Sequence, residues 1–124
     1  MTGQGYRGFL RQLSVGSSAA LLLPPYSLSD EREMVIGRDP NCQIILEPNL
    51  YISVSRRHAA IRPLHSLSNG LPHWEICDLN SANGTYINGQ VLRGCQVLQA
   101  GDRIELGQDG PVFIFECQFS PSNT

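Results

Sequence analysis

The sequence predicts an all-β fold in which short strands pack as a sandwich or close into a barrel. Its apolar runs are short, and each ends at glycine, proline, asparagine or aspartate residues that favour turns. No window of about 11 residues or more has the apolar spacing of an amphipathic helix. Asn88-Gly89 separates two short runs, and this pair favours the tight turn of a β-hairpin because it tolerates positive φ angles.

Each predicted strand is an apolar run with a turn signal at its end. Pro24-Pro25 closes the first run, Gly37 closes the second and Pro63 closes the fourth. Trp74–Leu79 alternates apolar and polar residues, as does a strand with one buried face. In chain order the predicted strands are Ala19–Leu23, Glu33–Ile36, Gln43–Leu46, His58–Arg62, Trp74–Leu79, Thr85–Ile87, Gln90–Leu92, Val97-Leu98, Asp102–Leu106 and Val112–Cys117.

At 124 residues the chain is long enough for one domain with a buried core. Residues 1–18, rich in Gly, Ser and Gln, are predicted to be a loosely ordered extension, residues 19–118 the domain and residues 119–124 a tail. Ala19–Leu23 is too short for a membrane helix of about 20 residues or for the core of a secretory signal. We therefore expect no direct membrane insertion and a cytoplasmic location.

No metal site and no cofactor are expected from the cysteine and histidine spacing. No pair of cysteines has the C-x-x-C spacing of a zinc site, and no carboxylate lies among the histidines. Without a signal peptide the default is reduced thiols, and Cys77 and Cys117 are expected to pack as small hydrophobic residues. The residues concerned are Cys42, Cys77, Cys95, Cys117, His58, His65 and His73.

Positive charge is concentrated in one window of a mildly acidic chain. The net charge is −2, all nine basic residues are arginine, and no acidic residue lies between Glu47 and Glu75. That window contains Arg56, and arginine offers planar donors that suit phosphate. Nucleic-acid binding needs basic and aromatic residues interleaved over a broad surface. Only Tyr51 and Trp74 lie nearby, so we expect no nucleic-acid partner.

The stretch Ser55–His58 allows a catalytic and a binding interpretation. Ser55 and His58 could serve as nucleophile and base, but residues three apart on a strand point to opposite faces. No G-x-S-x-G elbow surrounds the serine, so we expect no enzyme activity. His58 heads an apolar strand and is interpreted as a buried brace. A serine hydroxyl, an arginine and turn N–H groups suit an anion pocket, which Arg38 completes if its loop lies at the same end.

A third loop, Asp78–Thr85, is dense in turn-forming residues. Asn83-Gly84 alone is an ordinary turn. The side chain of Asn83 nevertheless carries both a donor and an acceptor, so it can bracket a peptide backbone by bonding its C=O and its N–H.

Four blocks together resemble the forkhead-associated (FHA) domain in order and spacing. They are Gly37-Arg38, Ser55–His58, the pattern D-x-x-S-x-N-G-T over Asp78–Thr85, and Asn88-Gly89. The resemblance spans about residues 20–118 and implies a two-sheet β-sandwich of about eleven strands, of the FHA/SMAD type. Ala82 departs from the family pattern, since several members carry a threonine or another polar residue there.

The resemblance also implies site residues. Arg38 is expected to contact a phosphate, Ser55 to hydrogen-bond it, Arg56 to occupy a variable phosphate-contacting position, and Asn83 to hold the backbone of the ligand. Secondary contacts and structural support of the site are expected from Ser53, Ser81, Gly37, His58 and Gly84.

The resemblance implies a phosphothreonine-dependent protein-interaction module in signalling. Its partner is expected to be a phosphothreonine-containing protein or peptide, with a Ser/Thr kinase acting upstream. The alternative is a degenerate FHA-type scaffold that binds its partner independently of phosphate. The intact Arg38, Ser55 and Asn83 favour the first hypothesis.

Overall fold

Two sheets make up the described part of the fold, where all the secondary structure is in strands. The computed structural model describes residues 5–13, 24–65 and 72–120. Within them one sheet has six strands in the order β2-β1-β11-β10-β7-β8, and the other has five in the order β4-β3-β5-β6-β9. The strands are β1 Gly5–Gln12, β2 Tyr26–Ser27, β3 Met34–Gly37, β4 Ile44–Ile45, β5 Ala59–His65, β6 Pro72–Asp78, β7 Thr85–Ile87, β8 Gln90–Val91, β9 Cys95–Val97, β10 Arg103–Leu106 and β11 Val112–Ser120.

The core lies between the two sheets, and its large members come from both. The Trp74 ring on β6 meets the Phe115 ring on β11 edge to face, with centroids 6.0 Å apart. Asn88 and Gly89 have φ angles of 51° and 84°, so they form the predicted tight turn between β7 and β8. The prediction of an all-β, two-sheet sandwich of about eleven strands is therefore confirmed for the described residues.

The N-terminal segment differs from the prediction. Residues 1–18 were expected to be loosely ordered, but Gly5–Gln12 form β1, which pairs along its whole length with β11. Leu10 is fully buried in the core, and a Cβ atom at Gly8 would lie only 3.0 Å from the Trp74 ring. Because Gly8 has no side chain, the indole can pack directly on this strand. The domain therefore begins before residue 19, and β11 continues to Ser120, into the predicted tail. The predicted strand Ala19–Leu23 lies outside the described residues.

Pro63 does not end β5, as the sequence predicted. Its partner on β6 is Trp74, whose carbonyl accepts a hydrogen bond from the Leu98 N–H on the β9 side. The polar backbone groups of Trp74 therefore point away from β5, and the nitrogen of Pro63 faces the β3 side. On that side Pro63 has no partner strand, because β3 runs antiparallel to β5 and its first residue, Met34, pairs with Ile61. No hydrogen bond of the ladder is lost, so the proline is tolerated.

The expectation of reduced thiols is wrong for one pair of cysteines. Cys77 on β6 and Cys95 on β9 lie directly opposite each other and form a disulfide. Cys42 and Cys117 are free thiols. The pairing depends on the register of β6 and β9, which brings together two cysteines 18 positions apart, and the cysteine spacing alone does not reveal it. No helix in the described part of the chain is long and apolar enough to cross a membrane.

Candidate phosphate-binding site

Loops from both sheets meet at one end of the sandwich. They are the β3–β4 loop (38–43), the β4–β5 loop (46–58), the β6–β7 loop (79–84), called here the recognition loop, and the β10–β11 loop (107–111). Backbone hydrogen bonds join them: the Asp39 N–H donates to the Arg56 carbonyl, the Leu79 N–H to the His58 carbonyl, and the Gly107 N–H to the Gly84 carbonyl. The three blocks that the sequence singled out are therefore neighbours in space.

Gly37 allows the β3–β4 loop to dock on the β4–β5 loop. A Cβ atom at this position would lie 2.2 Å from the Arg56 carbonyl oxygen, far inside van der Waals contact. The next residue, Arg38, donates its backbone N–H to the Ser55 carbonyl over 3.2 Å. The absence of a side chain at Gly37 therefore brings Arg38 beside Ser55.

Arg38 is half-buried, and its guanidinium is oriented by a neighbouring loop. Its Nε–H donates to the Val54 carbonyl. Its two terminal nitrogens make no hydrogen bond to any residue that the structure describes. A planar fork fixed at Nε, with its outer donors available, is suited to bidentate binding of an oxyanion.

Ser55 is held with its hydroxyl proton available. Its Oγ accepts a hydrogen bond from the Ala82 N–H over 2.9 Å, which ties it to the recognition loop. The hydroxyl makes no donor bond within the described residues. Since a serine hydroxyl has one donor and two acceptor positions, it can still donate to an anion.

His58 links two loops from a fully buried position. Its Nδ1 accepts a hydrogen bond from the Ser55 N–H over 3.0 Å. Nε2 must then carry the ring proton, which it donates to the Gly84 carbonyl over 2.8 Å. Burial lowers the pKa of His58 below its ordinary value, despite opposing contributions from the Gly84 hydrogen bond and the charge of Asp78. The ring is therefore neutral at physiological pH.

This geometry does not suit the catalytic interpretation of Ser55 and His58. Both ring nitrogens are engaged with backbone groups, and neither hydrogen-bonds the Ser55 hydroxyl. A nucleophile needs its base within hydrogen-bond reach of that hydroxyl.

Asn83 is exposed on the recognition loop and joined to the opposite loop. Its side-chain Nδ2 donates to the Ser53 carbonyl over 2.8 Å. The Oδ1 atom has no partner among the described residues. The following residue, Gly84, has a φ of 83°, which an L-residue adopts only with strain. The amide is thus fixed at one end and keeps an acceptor and a second N–H for a ligand backbone.

Arg56 is less free than the sequence implied. Its NH2 group forms an ion pair with the Asp39 carboxylate over 2.9 Å, although 68% of its side chain remains exposed. The Asn41 N–H and the Arg56 guanidinium keep the pKa of Asp39 below its ordinary value, so this carboxylate is charged at neutral pH. An incoming phosphate would share Arg56 with Asp39. Nothing in the sequence indicated the Arg56–Asp39 ion pair, because an acidic residue after Gly37-Arg38 does not by itself predict a partner.

Asp78 organises the recognition loop from inside. Its carboxylate accepts hydrogen bonds from the Ser81 hydroxyl over 2.6 Å and the Thr85 hydroxyl over 2.7 Å, and also from the Ser81 N–H. Partial burial alone would raise the pKa of Asp78, but these hydrogen bonds outweigh burial and lower it. The hydroxyl proton of Ser81 is committed to Asp78, so Ser81 could donate to a ligand only by breaking this bond.

An open groove of about 480 Å³ extends from Ser53 and Asn83 along the recognition loop. Tyr86 and Gln108 line it as well, and sequence reasoning did not single out either residue. The groove therefore lies directly beside the Asn83 amide.

Known proteins share both the sequence pattern and the fold. The sequence pattern of the FHA domain matches residues 34–107. The oxoglutarate dehydrogenase inhibitor of Corynebacterium efficiens is 39% identical over 87 residues, which are 70% of this chain and 54% of that protein. The chain thus spans about half the length of the curated relatives it matches.

Two solved FHA domains illustrate the structural similarity. That of yeast Dun1, in complex with a doubly phosphorylated (pT) peptide, is 29% identical with a TM-score of 0.71, covering 95% of this chain and 79% of that one. That of the CT664 protein from Chlamydia trachomatis is 26% identical with a TM-score of 0.70, covering 89% and 96%. Since the family pattern spans more than half of the sequence, the chain belongs to the FHA domain family.

Proposed function

We propose that the chain is a phosphothreonine-dependent interaction module that binds phosphorylated partner proteins and catalyses no reaction. One observation carries the proposal: Arg38, Ser55 and Asn83, from three loops, converge with donors that no described residue uses. A phosphate group carries about −1.5 to −2 charges at neutral pH and accepts several charge-assisted hydrogen bonds. The three residues supply such bonds from different directions.

In this proposal each residue has a separate task. The Arg38 fork binds two phosphate oxygens, the Ser55 hydroxyl donates to a third, and Asn83 holds the peptide backbone beside the phosphothreonine. Arg56 contributes charge at the rim, shared with Asp39. His58, Gly37 and Gly84 keep the loops in place, and Ser53 and Ser81 belong to their framework. The complexed Dun1 domain supports this assignment by its likeness in fold and sequence.

The partner class follows from the same chemistry. We propose a phosphothreonine-containing protein as the ligand, a Ser/Thr kinase upstream, a cytoplasmic location and no nucleic-acid partner. The name of the corynebacterial relatives, inhibitors of oxoglutarate dehydrogenase, shows that a domain of this kind can belong to a protein that acts on an enzyme. A metabolic enzyme is therefore a reasonable class of partner to test.

The decisive experiment is a screen of an oriented phosphothreonine peptide library against the oxidised protein, beside the same library without phosphate. We expect selection of phosphorylated peptides only, and loss of the selection in Arg38→Ala. Phosphoserine versions of the selected peptides should bind about 5- to 150-fold more weakly if the site holds the threonine methyl group, since one methyl contributes about 1–3 kcal/mol. Equal recovery of phosphorylated and unphosphorylated peptides would contradict the proposal.

A phosphate-independent scaffold is the second candidate, and the Asp39–Arg56 ion pair is the observation that favours it. In this ion pair the Arg56 guanidinium, one of the proposed phosphate contacts, is already bonded to the Asp39 carboxylate. Capture of a native partner by the wild-type protein and by the Arg38→Ala variant distinguishes the two functions. A partner retained equally by both, and insensitive to phosphatase treatment, would identify the scaffold.

A further inference from the structure

The Cys77–Cys95 disulfide is not part of the phosphate site, yet it encloses the recognition loop. The bond joins β6 to β9 across 18 positions of sequence, and the enclosed segment contains Asn83. We infer that this disulfide is a redox switch: closed, it holds the recognition loop in its binding shape, and its reduction loosens the loop and weakens phosphopeptide binding. The effect on binding rests on the proposed function, whereas the effect on the loop does not.

A short chain of contacts connects the disulfide to the recognition loop. Cys77 directly precedes Asp78, and Cys95 directly follows Gly94. The Asp78 N–H donates to the Gly94 carbonyl over 3.1 Å, one residue from the disulfide on both strands. The Asp78 carboxylate in turn holds the loop through the Thr85 hydroxyl and Ser81. Movement of β9 at this end therefore acts on the residue that organises the loop.

The end of β9 next to Gly94 depends on few contacts among the described residues. There β9 pairs with β6 alone, at the edge of its sheet, and its three residues, Cys95–Val97, are all exposed. Its other end continues into Leu98, which is buried and donates its N–H to the Trp74 carbonyl. The end next to Gly94 has the disulfide, the Asp78–Gly94 hydrogen bond and, two residues earlier in the chain, buried Leu92, whose N–H donates to the Thr85 carbonyl. Short exposed edge strands open easily, and the disulfide adds a covalent restraint at this end.

The two cysteine residues differ in exposure, which indicates where a reductant approaches. Cys95 is exposed, whereas Cys77 is 3% exposed. A thiolate of a dithiol reductant attacks the Cys95 sulfur, the S–S bond breaks, and Cys77 leaves as a thiolate that takes a proton from water. The second thiol of the reductant then releases Cys95 and closes the reductant's own disulfide. Two electrons pass to the protein, and both cysteines end as thiols.

Binding of one selected phosphothreonine peptide, measured by fluorescence anisotropy, tests the switch. The protein is compared oxidised, reduced with a dithiol and re-oxidised, with the thiol state verified by alkylation and mass spectrometry. We expect the Kd to rise roughly five- to tenfold on reduction, the lower range of coupling between distinct sites, and to recover on re-oxidation. An unchanged Kd with the disulfide verified as open would overturn the inference.

Variants separate this disulfide from other thiol effects. Cys77→Ser/Cys95→Ser should bind like the reduced wild type and ignore the reductant, whereas Cys117→Ser, which keeps the disulfide, should respond as wild type does. A chelator is present throughout, because the Glu75 carboxylate and the two sulfurs lie within 4.8 Å of one another and could hold a cation once reduced. A double variant that binds as tightly as the oxidised wild type would also overturn the inference.

Amide hydrogen exchange makes the test independent of any ligand. Reduction should speed exchange of the amides in residues 79–84 and lower the Tm by roughly 10 °C, the scale expected when a loop of this length is no longer cross-linked. If no phosphopeptide binds in either state, the proposed function fails and hydrogen exchange still decides the redox inference. Exchange in residues 79–84 that is the same in both states would contradict it.

Discussion

Because His58 is buried and neutral, we predict that the folded protein loses stability in mild acid. The buried ring is neutral in the folded protein because Nδ1 accepts the Ser55 N–H and burial lowers its pKa. In the unfolded chain the pKa returns to about 6.5. Between the lowered folded value and 6.5, the unfolded state binds more protons than the folded state. Stability is therefore complete above about pH 6.5 and decreases as the pH falls below it.

The magnitude follows from this linkage. If the folded protein stays unprotonated at His58 down to pH 5.5, the unfolded state gains RT ln(1 + 10), about 1.4 kcal/mol, relative to pH 8. For a domain of this size that corresponds to a Tm lowered by roughly 5 °C. Asp78 has a pKa below its ordinary value in the folded protein, so its titration lies at a pH lower than the range from 8 to 5.5 and does not add to the loss.

Thermal or urea unfolding from pH 8 to pH 5.5, on wild type and on His58→Asn, measures the effect. The asparagine can still accept the Ser55 N–H, but it does not titrate. We expect His58→Asn to lose about 1–2 kcal/mol at neutral pH, for the missing Gly84 bond and the lost ring packing, and to show a flatter pH dependence. His65 and His73 remain in both proteins, so the difference isolates His58. Parallel pH curves for the two proteins would refute the buried neutral ring.

Three further substitutions test separate parts of the site. Gly37→Ala places a Cβ atom 2.2 Å from the Arg56 carbonyl oxygen. Denaturant unfolding should therefore show a free energy of unfolding lowered by at least about 3 kcal/mol, or no folded protein. A stability near that of the wild type would exclude the close approach. Asp78→Ala leaves the Thr85 hydroxyl without its acceptor. In the same assay the free energy of unfolding should fall by about 2–3 kcal/mol, and the amides of residues 79–84 should exchange faster. A change below about 0.5 kcal/mol would contradict the organising role of Asp78. Arg56→Ala removes an exposed ion pair with Asp39, so we expect the free energy of unfolding to change by no more than about 0.5 kcal/mol. Calorimetry should show a measurably higher Kd for the phosphopeptide. An unchanged Kd would exclude Arg56 as a contact of the phosphate.

Local signals predicted most of the strands because those signals act within a few residues. Asn88-Gly89 produced the turn that its φ preference requires. The alternating run predicted over Trp74–Leu79 corresponds to β6, Pro72–Asp78, with Trp74 and Ile76 buried in the core. Pro63 shows the limit of such signals, since its effect depends on which side of β5 carries a neighbouring strand, and only the assembled sheet decides that.

Features that depend on long-range pairing could not be predicted. The β1 sequence G-Y-R-G-F-L-R-Q has weak strand character by itself, and it is held by β11 and by the Trp74 ring packed on Gly8. Cys77 and Cys95 become partners only through the register of β6 and β9. The family resemblance brought Arg38, Ser55 and Asn83 together before any coordinates, but it held no information on the pairing of Arg56 with Asp39.

The most direct measurement of the central claim is a thermodynamic cycle between Arg38 and the phosphate group. Isothermal titration calorimetry gives the Kd of one selected peptide and its unphosphorylated twin for wild type and Arg38→Ala, with Arg38→Lys as the variant that keeps charge but not the fork. We predict that Arg38→Ala weakens the phosphopeptide about 10- to 150-fold, equivalent to about 1.5–3 kcal/mol for hydrogen bonds to a charged group, and leaves the twin unaffected. Equal weakening of both peptides, or no weakening in a variant that remains folded, would contradict phosphate recognition by Arg38.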